Sequence, residues 1–246
     1  MGENSVIIQL ENIGFSYTGG GSVLDNLCFT LKEGEKLGLI GQNGSGKTTF
    51  LQIIMGLIKP SSGTIRAFGK LIETKEDFFE IRRKIGFLFQ NADDQLFCPT
   101  VLEDIAFGPL NLGKSPAEAR KMAMQTLERL NLKGFEERVT HKLSGGEKKL
   151  VALATVLVMQ PKALLLDEPT TGLDEDTNIR IIALLNSLDI SYVIVSHEYD
   201  FLARTTHDVY SIQGGRIMYN GDSNTLHSHY HRHLKGGLRH RHLTLH

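Results

Sequence analysis

Four short apolar runs frame the chain: KLGLIG (36–41), KIGFLF (84–89), ALLLDE (163–168) and YVIVS (192–196). None of them alternates apolar with polar positions. A strand with one solvated face alternates; a strand buried on both faces of a parallel sheet does not. The four runs therefore predict a parallel sheet covered on both sides. Helical patterns lie between them, the clearest being SPAEARKMAMQTLERL (115–130). Ser115 is placed to cap that helix, Pro116 suits its first position, and Glu118 completes a capping box. Ala119, Met122, Ala123, Leu127 and Leu130 then form one apolar stripe. Upstream, SVIIQLENIGFSY and VLDNLCFTL flank the turn TGGGS, which predicts antiparallel strands. Near the other end, DVYSIQ and RIMYNG around Gly214 and Gly215 predict a hairpin. No internal repeat appears. From about residue 226 to 246 the chain becomes rich in histidine and basic residues, with few core formers, and reads as an appended tail.

Composition narrows the classes. With 246 residues, 41% hydrophobic and 22% charged, the chain can bury a substantial core. A formal net charge of −1 supplies no global field for nucleic acid, so none is expected as a partner. Cys28 and Cys98 lie far apart without metal-type spacing, which suits a reducing compartment. MGENSVIIQL lacks the basic start and apolar run of a secretory signal. The longest apolar run, LVALATVLVM (150–159), is about half a membrane span. Any membrane role is expected to come through partners.

The chemistry is concentrated at the ends of the buried runs. GQNGSGKT (41–48) fits G-x-x-x-x-G-K-[ST] directly after a predicted strand and before a helical stretch. Glycines let backbone N–H groups close around phosphate oxygens, and the helix dipole favours the anion. Gly41, Gln42, Asn43, Gly44, Ser45, Gly46, Lys47, Thr48 and Thr49 are the expected nucleotide contacts. Lys47 reaches the β- and γ-phosphates, and Thr48 offers a hydroxyl to Mg²⁺. LLLDEP (164–169) ends a strand in two carboxylates. Successive strand residues point to opposite faces, so the two are expected to differ: Asp167 for the Mg²⁺ shell, Glu168 as general base beside the γ-phosphate. Asp174 is expected to cap the next helix. His197 ends a strand expected to neighbour that of Asp167, and is read as a γ-phosphate contact. SGGE (144–147) makes a capping box, Ser144 with Glu147. Two glycines in a first helical turn each cost about 1 kcal/mol against alanine. Close approach by an anion, such as the nucleotide of a second subunit, would account for them.

GQNGSGKT, LSGGE, LLLDEP, GLD and SH, in this order and spacing, resemble the ATPase subunit of an ATP-binding cassette (ABC) transporter. The resemblance covers about residues 5–225. It implies a P-loop NTPase core of α/β class with an N-terminal antiparallel section and a helical subdomain at about 91–160. It also implies a head-to-tail dimer, homo- or heteromeric, enclosing two ATPs with Mg²⁺. Tyr17 matches the aromatic that stacks on adenine, and Gln90 the glutamine that reaches Mg²⁺ and the attacking water. Ser144, Gly145, Gly146 and Glu147 match the signature that meets the partner's nucleotide, and Asp174 the loop that couples the two sites.

FLFQNADDQLFCPTVLEDIAFGPLNLG (87–113) is similar to the energy-coupling factor type, whose ATPases serve cobalt, nickel or vitamin uptake. Ala92 stands where that family commonly has proline. The resemblance implies a membrane scaffold subunit, a substrate-binding membrane subunit, and a place on the cytoplasmic face of the membrane. Soluble cassette ATPases of cofactor assembly, DNA repair or translation are the alternatives. In QNADDQLF (90–97), Asp93, Asp94, Leu96 and Phe97 are expected to rim a groove for a membrane partner's helix. His227, His229, His231 and His233 alternate, as a Ni²⁺, Co²⁺ or Zn²⁺ site would.

Overall fold

The computed structural model describes residues 5–223, so the histidine-rich tail and its candidate metal site lie outside the described residues. The chain opens with β1 (Val6–Ser16), β2 (Ser22–Lys32) and β3 (Lys36–Ile40). Then follow α1 (Lys47–Ile54), β4 (Ser62–Ala67), β5 (Lys70–Leu71), α2 (Lys75–Arg82) and β6 (Ile85–Leu88). Three helices come next: α3 (Val101–Asn111), α4 (Pro116–Arg129) and α5 (Gly145–Leu157). The chain closes with β7 (Ala163–Asp167), α6 (Glu175–Ser187), β8 (Ser191–Val195), α7 (Tyr199–Thr205), β9 (Asp208–Gln213) and β10 (Arg216–Asp222).

The four apolar runs are β3, β6, β7 and β8, all in one six-stranded sheet of order β10-β9-β3-β8-β7-β6. Every pairing in it is parallel except β9 with β10. The expected neighbourhood of the Asp167 and His197 strands holds, since β7 pairs with β8. The absence of alternation has the expected cause. Leu164 and Leu166 of β7 face one core and Ala163 and Leu165 the other. Tyr192 and Ile194 of β8 divide from Val193 and Val195 in the same way. On one face lie α1 and a four-stranded antiparallel sheet of order β2-β1-β4-β5. On the other lie α3 to α7.

The α4 stripe is as the pattern demands: Ala119, Ala123, Leu127 and Leu130 are buried, Met122 packs beside them, and the Ser115–Glu118 capping box is present. β4, β5 and α2 have no counterpart among the sequence expectations. No helix among the described residues is long and apolar enough to cross a membrane.

Register places the chemistry. Leu39 of β3 and Asp167 of β7 both pair with Val195 of β8, and Leu88 of β6 pairs with Leu166. The C-terminal ends of four strands thus share one edge, the edge at which ligands bind in open α/β sheets.

Gly86 in β6 lets α5 close on the sheet. A Cβ built there would collide with Val156 and lie 2.8 Å from Leu164 Cδ2. Gly86→Ala is therefore expected to destabilise the fold by about 1–3 kcal/mol through overpacking. Chemical denaturation measures it; an unchanged midpoint would show that α5 yields without cost.

Candidate nucleotide site at the sheet edge

The helices of eight or more residues among the described residues divide sharply at their starts. Thr74, Thr100, Ser115, Ser144 and Asp174 cap α2, α3, α4, α5 and α6 with side-chain oxygens. α1 has no side-chain cap. Its N-cap is Gly46, in the left-handed region at φ 100°. The first N–H groups of a helix have no intrahelical acceptor, so the first turn of α1 offers bare donors to a phosphate. A Cβ on Gly46 would lie 2.9 Å from Leu24 Cδ2 and 3.0 Å from Val23 Cγ1. The glycine is needed for both conformation and space.

The loop is braced by its own lysine. Lys47, largely buried, donates to the carbonyls of Gly41 at 2.8 Å and Gln42 at 3.0 Å. An ammonium carries three donors, which leaves one for a ligand. Ser45 Oγ is buried without a partner.

A cleft of about 540 Å³ opens above this loop. Tyr17, Asn43, Gly44, Gly46, Lys47, Thr48, Thr49, Gln90, Asp167 and Glu168 line it, together with Val23, which the sequence did not single out. Tyr17 is half exposed; its ring stands edge-on to Phe15 and its hydroxyl lies 3.0 Å from Thr49 Oγ1. β3 and β7 are not neighbours, since β8 lies between them. Thr48 Oγ1 nonetheless donates to Asp167 Oδ2 at 2.8 Å, bridging the gap. Asp167 Oδ1 is buried with no partner. Burial pushes the Asp167 carboxyl above its ordinary range, against the pull of the Thr48 hydrogen bond.

Strand alternation alone would send Glu168 away from Asp167. Glu168 lies one residue beyond β7, however, with φ at 47°. That region is rare for a residue with a side chain and costs energy. Its N–H donates to the Val195 carbonyl at 2.9 Å. The turn returns Glu168 to the cleft, so both carboxylates line it. Two groups hold the Glu168 carboxylate: His197 Nδ1 at 3.0 Å and the Thr171 hydroxyl at 3.1 Å. His197 meets the cleft through Glu168 and is not among its lining residues.

Ser144, Gly145, Gly146, Glu147 and Asp174 do not line this cleft either. They cluster at the starts of α5 and α6. Ser144 and Glu147 form the expected capping box, and Arg138 pairs with Glu147 at 2.8 Å. The bond from the Ser144 N–H holds the Glu147 carboxyl below its ordinary range. Asp174 accepts from the Thr177 N–H at 2.8 Å and its hydroxyl at 2.9 Å. A Cβ on Gly146 would lie 3.1 Å from Thr177 Oγ1, whereas one on Gly145 would meet open space. Internal packing thus explains Gly146 and leaves Gly145 facing outward.

The segment 90–97 differs from expectation. Leu96 is buried in the helical core rather than offered at a rim, and Asp93 pairs with Lys148 of the same chain at 2.6 Å. Phe97 is 65% exposed, edge-on to Phe107. The apolar groove beside this segment takes only Gln95 from it and is otherwise lined by Leu57, Arg83, Phe89, Val156 and Met159, among others.

Comparison with known proteins accords with this geometry. The ABC transporter family model matches residues 24–171. A protein of Nitratidesulfovibrio vulgaris strain Hildenborough, named as an ABC transporter ATP-binding protein, is 52% identical over 96% of this chain and 86% of its own length. The energy-coupling factor transporter ATP-binding protein EcfA of Methanothermobacter thermautotrophicus is 39% identical over 87% of this chain and 70% of its own. The structure of CbiO1 from Clostridium perfringens, part of the ABC transporter complex CbiONQ, superposes with a TM-score of 0.82 at 35% identity. It covers 93% of this chain, which in turn covers 92% of it. The dimeric ATP-binding cassette MJ0796 bound to ADP and Pi superposes with a TM-score of 0.80 at 30% identity, covering 87% of this chain and 98% of its own. The chain belongs to the ABC transporter ATP-binding family, and it is an ATP-binding, ATP-hydrolysing transporter subunit.

Gly46→Ala tests the loop. A residue with a Cβ held in the left-handed region costs about 1–2 kcal/mol, and relief of that strain would displace the first turn of α1. The variant is expected to stay folded but to lose the rise in melting temperature that ATP gives the parent chain. An undiminished ATP-induced rise would show that this turn is not the phosphate site.

Proposed function

We propose that the chain powers a membrane importer of the energy-coupling factor type, taking up a metal ion such as cobalt or nickel, or a vitamin. It would work as a dimer on the cytoplasmic face, held there by a membrane scaffold subunit beside a substrate-binding subunit. The likeness to EcfA and to CbiO1 supports the subtype, as does the 87–113 segment. The catalytic part rests on one observation: Lys47, Thr48, Gln90, Asp167 and Glu168 line a single cleft above an uncapped helix start.

The residues present fit Mg²⁺. Asp167 Oδ1 is a buried oxygen without a partner, and Asp167 Oδ2 already accepts from Thr48. Thr48, Asp167 and Gln90 would hold the ion, which offsets charge on the β- and γ-phosphates when bound. The chain's own groups do the rest. Lys47 and the amides of the loop hold the phosphates and meet the charge that grows on them. Tyr17 stacks on the base. Glu168 takes the proton of the attacking water, and His197 and Thr171 fix its carboxylate. The start of α5, with Gly145 open to the outside, receives the nucleotide of the second subunit, and Asp174 links the two sites.

A helix of a membrane partner would seat in the groove beside Phe89 and Gln95. Gln90 follows Phe89 directly, so a helix seated there would adjoin the segment that feeds the cleft.

Glu168→Gln is expected to keep ATP binding, read as the ATP-induced rise in melting temperature, and to lose about 10²–10⁴-fold in turnover. Near-parental turnover would assign the base elsewhere. Leu57 lines the groove and is 46% exposed, so Leu57→Asp should fold and bind ATP yet no longer co-purify with membrane subunits. Undiminished co-purification would remove the groove from the interface.

A further inference from the structure

Lys149 is the buried cation that the catalytic reading leaves unused. It is 4% exposed within α5, a helix with eight buried residues, most of them apolar. Among the described residues no carboxylate lies within ion-pair distance of it. Its ammonium donates to two main-chain carbonyls, Gln90 at 2.6 Å and Phe89 at 3.3 Å. Burial lowers its pKa, while Asp167 and Glu168 draw it upward. A methionine would fill the same space without desolvating a charge, a cost that backbone carbonyls repay poorly. Packing by itself therefore gives no reason for an ammonium here.

The bonds around it form a strap. Lys148 pairs with Asp93 at 2.6 Å. The Gln95 amide donates to the Ala152 carbonyl at 2.8 Å and lies 2.9 Å from Thr155 Oγ1, while its oxygen accepts from the Phe89 N–H at 3.2 Å. Three successive turns of α5 thus hold the segment that leaves β6. Lys149 grips the part nearest the cleft, where Gln90 enters.

We propose that Lys149 is a positioning residue. By holding the Phe89 and Gln90 carbonyls it makes the place of Gln90 in the cleft follow α5. The inference rests on the reading of Gln90 as a contact of the metal and the attacking water. The outward start of α5, at Ser144 and Gly145, and the segment that brings Gln90 to the cleft would thereby move together. A nucleotide seated against that start by a second subunit would then adjust Gln90 through the strap, with Lys149 as its link nearest the cleft.

The test compares Lys149→Met, Lys149→Arg, Gln90→Ala and the Lys149→Met/Gln90→Ala double variant, on the full chain with its co-purifying membrane subunits. Lys149→Met is expected to melt at or above the parental temperature. Its kcat should fall about 10- to 100-fold, the scale of a small misplacement in a site, with KM for ATP little changed. Lys149→Arg, which keeps the donors, should recover most of the rate. The double variant should be no slower than Gln90→Ala, because both remove the same contribution. Additive losses, a parental kcat in Lys149→Met, or a loss that tracks a lowered melting temperature without rescue by arginine would each overturn the proposal. Glu168→Gln separates the two levels. If it retains turnover, the catalytic reading has failed; if it loses turnover while the Lys149 and Gln90 effects add, only the role of Lys149 has failed.

Discussion

A strand buried on both faces can show polar chemistry only where it ends. β7 and β8 are buried at every position, and β3 at every position but its first. Their pairing is parallel and in register. These two conditions oblige the loop after β3, the carboxylates after β7 and the histidine after β8 to emerge together along one edge. The two cores on either side of the sheet hold that edge rigid, and the site inherits its geometry from them.

Against this rigid edge the helix starts divide by function. Side-chain oxygens close the first turns of α2 to α6. Gly46 leaves the first turn of α1 open, and its φ of 100° with Val23 and Leu24 alongside rules out a capping side chain there. The donors that a cap would satisfy are left for a phosphate. Glu168 carries the complementary departure from regularity, a positive φ immediately after a buried strand. The site thus draws on two local irregularities, each held by a well-packed neighbour.

α5 ties the site to the remainder of the helical side. Its start is capped, with Gly145 facing open space and Gly146 seated on Thr177. One turn further, Lys149 turns inward to the carbonyls next to Gln90. A helix buried nearly all round admits a lysine only with partners. Those partners are backbone, so the helix and the cleft-forming segment are joined independently of side-chain identity at residues 89 and 90.

Sequence by itself determined the strands of the parallel sheet, the capping boxes of α4 and α5, and every lining residue of the cleft except Val23, while Gly41, Gln42 and Ser45, also expected at the nucleotide, do not line it. Each depends on local periodicity or on a short motif whose chemistry sits within a few residues. Tertiary structure decided the remainder. The Thr48–Asp167 bond spans 119 residues and an intervening strand, and nothing local encodes it. Glu168 is expected beside the γ-phosphate, but the single positive φ that turns it back into the cleft beside Asp167 has no local signal. Leu96, an apolar residue in a polar stretch, is core rather than groove, since it is buried in the cluster on the helical side of the sheet. β4, β5 and α2 escaped notice because all three are short or largely exposed: β4 pairs with the distant β1, β5 with β4, and α2 buries only Asp77 and Ile81. Lys149 left only a faint signal, a lysine within an apolar helix. Its meaning lies in which carbonyls it reaches, and only the packing of α5 against the end of β6 decides that.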